Sequence, residues 1–224
     1  MYYFDFIPSE LFETIISFLD YDNLTVFSEA FDINNLNFSL IYYYKFDDKK
    51  IVNYKEYKKY LGISDLKDKL GLKETFGELS KIKELSLSKK ELTSLPESIG
   101  ELTQLKGLSS HLNLLTSLPD TIGKLINLET LSLSNNKLDS LPTSIGDLTQ
   151  LKILYLNNNK LISLPSSIGE LSQLKYLDLV NNKLISLPDS IGNLTQLDAL
   201  YIRNNKFVEY PKSLDKLINT KIIK

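Results

Sequence analysis

From about residue 79 onward, leucines occupy a fixed set of phases that restarts every 23 residues. One complete unit runs Leu125, Leu128, Leu131, Leu133, Asn136, Leu138, Leu141, Pro142, Ile145 and Gly146, giving the pattern L-x-x-L-x-x-L-x-L-x-x-N-x-L-x-x-L-P-x-x-I-G-x. The stretches Leu148 to Gly169 and Leu171 to Gly192 repeat it phase for phase, and Pro96, Pro119, Pro142, Pro165, Pro188 and Pro211 keep the same interval. A constant period of this size means a solenoid, in which each unit buries its apolar face only by stacking on its neighbours.

The phases predict the elements. Leu131 and Leu133 alternate at period 2, so a short strand is expected with these two side chains inward and Thr130, Ser132 and Ser134 outward. Strands from successive units should stack in parallel. Asn113, Asn136, Asn159, Asn182 and Asn205 fall at the corner after each strand, where an amide can satisfy backbone groups left unpaired. The L-P-x-x-I-G stretch closes the opposite side: proline fixes φ, and glycine allows a special backbone conformation or a close approach. The terminal units depart from the pattern, with Lys90 at the corner, Ser110 at an inner leucine phase and Asp215 in place of glycine. After Leu217, Thr220 and Ile223 hold the remaining strand phases, which predicts a seventh stub at the sheet edge.

Residues 1–78 lack this period. Ser9 can cap a helix whose apolar face is Leu11, Phe12, Ile15, Ile16 and Leu19, and Asn23 can cap a second carrying Leu24, Phe27, Ala30 and Phe31. A third apolar stretch follows at Leu36, Phe38, Leu40 and Ile41. The expected division is a small α-helical domain at 1–46, a helical linker and cap at 47–78, and a solenoid at 79–224. Charged helical stretches at Lys55 to Leu61 and Ser64 to Leu70 are expected to shield Leu85 and Leu87.

The repeats resemble the leucine-rich repeat family of the 23-residue type. That resemblance implies an α/β solenoid with a parallel β-sheet on a concave face, an irregular or 3-10 convex side, and a role in binding other proteins. At the other end, Ile7-Pro8-Ser9-Glu10-Leu11, Ile15-Ile16, Phe18-Leu19-Asp20 and Asn23-Leu24, followed by Phe27 and Ala30, are similar to the F-box motif. Asn53 to Tyr57 echo a segment often found downstream of it, although the chain has no tryptophan and carries Asn23 where aspartate is usual. The resemblance implies that Pro8, Leu11, Ile15, Ile16 and Leu19 dock an Skp1-like adaptor, making the chain a substrate-recognition subunit of an SCF-type ubiquitin ligase. Two alternatives stay open. The helices can merely cap a plain interaction scaffold similar to the intracellular Ras-related repeat proteins that share L-P-x-x-I-G, or the chain can regulate a partner enzyme by covering it.

Outward strand phases carry the information about a target. They are small and polar in the first units and larger later, where Tyr155, Tyr176 and Tyr201 fall on adjacent strands beside Asp178 and Arg203. Tyrosine and arginine are frequent hot-spot residues because they bury much area at modest entropic cost. These five, with His111 on an exposed phase, are the candidate target-binding residues.

Composition narrows the class. A net charge of -2 argues against nucleic acid as the main partner. With no cysteine and one histidine, neither a thiol nucleophile nor a metal site of the usual kind is expected, and no phosphate or dinucleotide loop is present, so no enzyme activity or cofactor is expected. The first residues lack a basic, apolar leader and no apolar run is long enough to span a membrane. Absence of cysteine favours a reducing, cytoplasmic or nuclear setting, in which the sequons at Asn23, Asn37 and Asn193 stay unmodified. A monomer is expected outside its complex.

Overall fold

The computed structural model describes residues 44–46, 49–51, 62–63, 66–67, 69–72 and 76–224. The chain divides into two compact units, Met1–Tyr60 and Leu61–Lys224. In the first, β1 (Tyr44–Phe46) and β2 (Lys49–Ile51) pair antiparallel, with Tyr44 opposite Ile51 and Phe46 opposite Lys49. Helical periodicity did not lead to this pair; Tyr44, Phe46 and Ile51 are residue types that favour strands. The F-box-like positions Pro8, Leu11, Ile15, Ile16 and Leu19, and the three expected helices, lie outside the described residues.

In the second unit, residues 62–63, 66–67 and 69–70 carry helical backbone and α1 spans Phe76–Leu79, with Ile63, Leu66, Leu70, Leu72 and Leu79 buried. A seven-stranded parallel sheet follows in strict chain order. Its strands are β3 (Glu84–Ser86), β4 (Gly107–Ser109), β5 (Thr130–Ser132), β6 (Ile153–Tyr155), β7 (Tyr176–Asp178), β8 (Ala199–Tyr201) and β9 (Lys221–Ile223). The central residues Leu85, Leu108, Leu131, Leu154, Leu177 and Leu200 pair in register and are all buried, as period-2 alternation requires.

The last strand corrects the expected phase. Ala199 pairs with Lys221 and Leu200 with Ile222, so the closing unit is one residue shorter, and Ile223 moves to the outward row opposite Tyr201. Ile202 N–H donates to the Ile223 carbonyl at 2.9 Å, consistent with that slip.

Opposite the sheet, six 3-10 turns run Glu97–Glu101, Asp120–Lys124, Thr143–Asp147, Ser166–Glu170, Asp189–Asn193 and Lys212–Lys216. Each follows a proline held in extended backbone, for example Pro142 at φ -65 and ψ 152, whose carbonyl accepts the Ile145 N–H at 3.1 Å. The glycines of these turns serve close approach rather than positive φ: a Cβ on Gly146 would lie 2.6 Å from the Ser167 carbonyl oxygen of the next coil. Asp215 replaces the last of them, and its turn still forms.

The corner asparagines behave as expected. Asn159 accepts the Leu138 N–H at 3.0 Å and donates to the carbonyls of Leu133 and Leu156, both at 3.0 Å, so one buried amide ties its own coil to the preceding one. Asn113, Asn136 and Asn182 are likewise buried. Ser110, at an inner leucine phase, is fully buried and its hydroxyl has no hydrogen-bond partner.

Candidate protein-interaction surface

The outward residues of β3 to β9 form one face in three rows. The first holds Glu84, Gly107, Thr130, Ile153, Tyr176, Ala199 and Lys221; the second holds Ser86, Ser109, Ser132, Tyr155, Asp178, Tyr201 and Ile223. A third, just beyond the strands, carries Ser88, His111, Ser134, Asn157, Val180 and Arg203. Because hydrogen-bonded strands fix these positions, side chains from sequence-distant units meet without any loop having to order.

The face has two different halves. Over β3 to β5 a shallow recess of about 330 Å³ is lined by Glu84, Ser86, Gly107, Ser109, Thr130 and Ser132. It exists because Gly107 has no side chain, and the Glu84 carboxylate lies over the space that a Cβ would fill. Gly107 is therefore buried although its phase is outward, and Ala199, also outward in phase, is buried as well. Beside the recess, His111 Nδ1 lies 2.9 Å from both Ser88 Oγ and Ser109 Oγ, which are 3.0 Å from each other.

Over β6 to β8 the face is aromatic. Tyr155 and Tyr176 are 39% and 41% exposed, and Tyr201 is partly exposed. Register puts Asp178 directly between Tyr155 and Tyr201, and Tyr176 between Ile153 and Ala199. The three rings make no ring–ring contact among the described residues, so they do not stack on one another. Asp178 Oδ1 accepts the Val180 N–H at 3.0 Å, and desolvation by burial holds its carboxyl above the usual range against that bond.

Of the six candidate residues, Tyr155, Tyr176, Asp178 and Tyr201 thus form one patch. Arg203 turns to the sheet's last edge, where its Nε donates to the Lys224 carbonyl at 3.1 Å. His111 belongs to the serine cluster two strands away from Tyr155. Ile153 and Val180, both half-buried, join the patch as its apolar border.

A line of charge before the strands was not anticipated. Glu129 receives Lys106 Nζ at 2.8 Å and Lys152 Nζ at 2.6 Å, and those hydrogen bonds, Lys106 first, pull its carboxyl down to about 2. Lys106, Glu129 and Lys152 share one phase 23 residues apart, so opposite signs at a common phase were the available signal. Among the described residues, no helix is long and apolar enough to cross a membrane, and no group of three His, Asp or Glu side chains is placed to hold a metal ion.

Two stretches, residues 111–161 and 149–207, match the leucine rich repeat family model. No curated protein matches the chain. Among solved structures, a leucine-rich repeat protein of Leptospira interrogans is 34% identical, with 66% of this chain and 50% of that one covered and a TM-score of 0.51. A TDR receptor is 27% identical over 64% of this chain and 30% of its own, with a TM-score of 0.48. An internalin of Listeria monocytogenes is 21% identical over 65% of this chain and 48% of its own, with a TM-score of 0.46. This chain therefore spans half or less of the length of these proteins. Residues 111–161 and 149–207 thus carry leucine-rich repeats, and the same 23-residue unit and strand-and-turn geometry run on either side of them, from β3 to β9.

Proposed function

We propose that this chain is a protein-recognition module that holds its partner on the open face of the sheet, centred on Tyr155, Tyr176, Asp178 and Tyr201, with His111 and Arg203 at the margins. Leucine-rich repeats generally serve as protein-interaction modules, which supports the class. The observation that carries the location is the placing of three unstacked tyrosines, two exposed and Tyr201 partly so, on adjacent strands of one face. A rigid aromatic side chain loses little entropy on binding and buries a large area, the profile of an interface hot spot. Tyr155→Ala and Tyr201→Ala should each weaken partner affinity by roughly 1 to 3 kcal/mol while Tm stays within a degree or so. Unchanged affinity with intact folding would move the interface elsewhere.

The F-box-like run from Ile7 to Ala30 supports a finer assignment. In it, Pro8, Leu11, Ile15, Ile16 and Leu19 dock an Skp1-like adaptor and the sheet face presents a target for ubiquitylation, in a reducing compartment where a chain without cysteine needs no disulfide. Leu11→Asp with Ile15→Asp should abolish co-purification with an Skp1 homologue and leave the repeats folded. If the native chain recruits no such adaptor, it is instead a plain leucine-rich-repeat scaffold.

A further inference from the structure

We propose that the sheet face takes a guanidinium group, an arginine side chain of the partner protein, seated on Asp178 between Tyr155 and Tyr201. This deepens, and rests on, the assignment of that face as the partner surface.

Charge is the first ground. Asp178 is half-buried, one of its oxygens is held by the Val180 N–H, and no cation pairs with it among the described residues. The nearby Arg203 is engaged at the Lys224 carbonyl, and Lys106 and Lys152 both go to Glu129. From β3 to β8 the three rows carry Glu84 and Asp178 and, as their one lysine or arginine, the Arg203 engaged at Lys224. A carboxylate that loses water without gaining a partner is costly, and here desolvation is the leading cause of its upward pKa shift. A cation brought by a ligand removes that cost, because the charge it meets is already stripped of part of its water.

Geometry is the second ground. Tyr155 and Tyr201 are the register partners of Asp178 on either side. Adjacent strands lie about 4.8 Å apart, so the two tyrosine backbones stand about 10 Å from each other with the Asp178 backbone midway. A planar group needs about 3.5 Å to each carbon surface it packs on, which fits that gap once. The faces of tyrosine rings attract cations, more strongly where water is excluded, and Ile153, Val180 and Ile223 border the position with apolar surface. Guanidinium suits the slot better than ammonium: it is flat, stacks on aromatic rings, sheds water more readily and presents a fork of N–H donors to a carboxylate. The tyrosines own no competing contact, since neither ring–ring nor ring–cation pairs involve them among the described residues.

The test uses the full chain with tyrosine rings isotopically labelled for NMR, titrated with N-acetyl-arginine amide, its neutral isostere N-acetyl-citrulline amide, and N-acetyl-lysine amide. The arginine probe should move the Tyr155 and Tyr201 ring signals saturably, with the lysine probe about tenfold weaker and the citrulline probe without effect. Asp178→Asn keeps an acceptor for the Val180 N–H and should abolish the arginine response at unchanged Tm. Equal responses to arginine and citrulline, equal responses to arginine and lysine, or a full response in Asp178→Asn would each overturn the proposal. Partner binding separates the two levels. If Tyr155→Ala and Tyr201→Ala lose the partner while Asp178→Asn keeps it, the guanidinium seat falls and the partner surface stands; if all three keep it, the surface assignment falls as well.

Discussion

Two neighbouring residues at the corner after each strand do separate jobs. The second is the buried asparagine whose amide closes three backbone groups on two adjacent coils, as Asn159 does for Leu138, Leu133 and Leu156. The first takes a left-handed backbone: Asn135, Asn158 and Asn181 all have φ 56, and Asn204 has φ 55. Asparagine tolerates that region because its short amide can bond locally, and here Asn181 and Asn204 also donate to the amide oxygen one coil back, at 2.6 and 2.7 Å. Leu112 holds the same φ 56 with no such compensation, and its side chain is 45% exposed, so it gains little from burial. Leu112→Asn should therefore stabilise the chain by about 1 kcal/mol, the scale of the left-handed penalty for an ordinary residue. A denaturation midpoint that stays put or falls would refute the strain argument. At this scale the sequence was a good guide to the inward phases, since a leucine repeated at one phase has one physical explanation. It was a poor guide to Ser110, where an inward phase holds a hydroxyl that finds no partner.

Between elements, what matters is how closely one coil lies on the next. Each of the first five 3-10 turns rests on the turn after it through its glycine, and a Cβ added at Gly146 would lie within 2.7 Å of both the carbonyl oxygen and the Cβ of Ser167. Backbone cannot yield as a flexible side chain can, so Gly146→Ala should cost about 2 kcal/mol by overpacking. The neighbouring Asp147→Ala, on an exposed side chain, should stay within about 0.5 kcal/mol. Equal midpoints for the two variants would mean that the coils are less tightly seated than the geometry requires. The sequence alone left the role of this glycine open between backbone freedom and close approach, and φ values settle it as approach. It also misplaced the last strand, because Thr220-Lys221-Ile222-Ile223 reads equally well in either register and only the pairing of Leu200 with Ile222 decides. Burial of Gly107 was hidden for a related reason: it depends on Glu84 folding over it, and phase alone is silent on that.

Across the repeat unit as a whole, stacking produces a rigid face with two chemistries, a recess floored by glycine and serine and a tyrosine patch around one carboxylate. Nearest-neighbour coils support each other, so a partner can be gripped without ordering loops first, which lowers the entropic cost of binding. The candidate patch was legible as residues, since Tyr155, Tyr176 and Tyr201 all sit on outward phases; the separation of His111 and Arg203 from it was not, because that depends on the Ser88 and Ser109 hydroxyls and on the Lys224 carbonyl. The central claim, that this face is where a protein partner sits, is tested most directly by photocrosslinking in a eukaryotic lysate. A benzophenone amino acid is placed at Ser132, beside Tyr155 in register, or at Glu170, exposed on the 3-10 side. A discrete protein adduct from position 132 and none from position 170 is the predicted result; adducts from 170 alone, or indistinguishable adducts from both, would contradict the account.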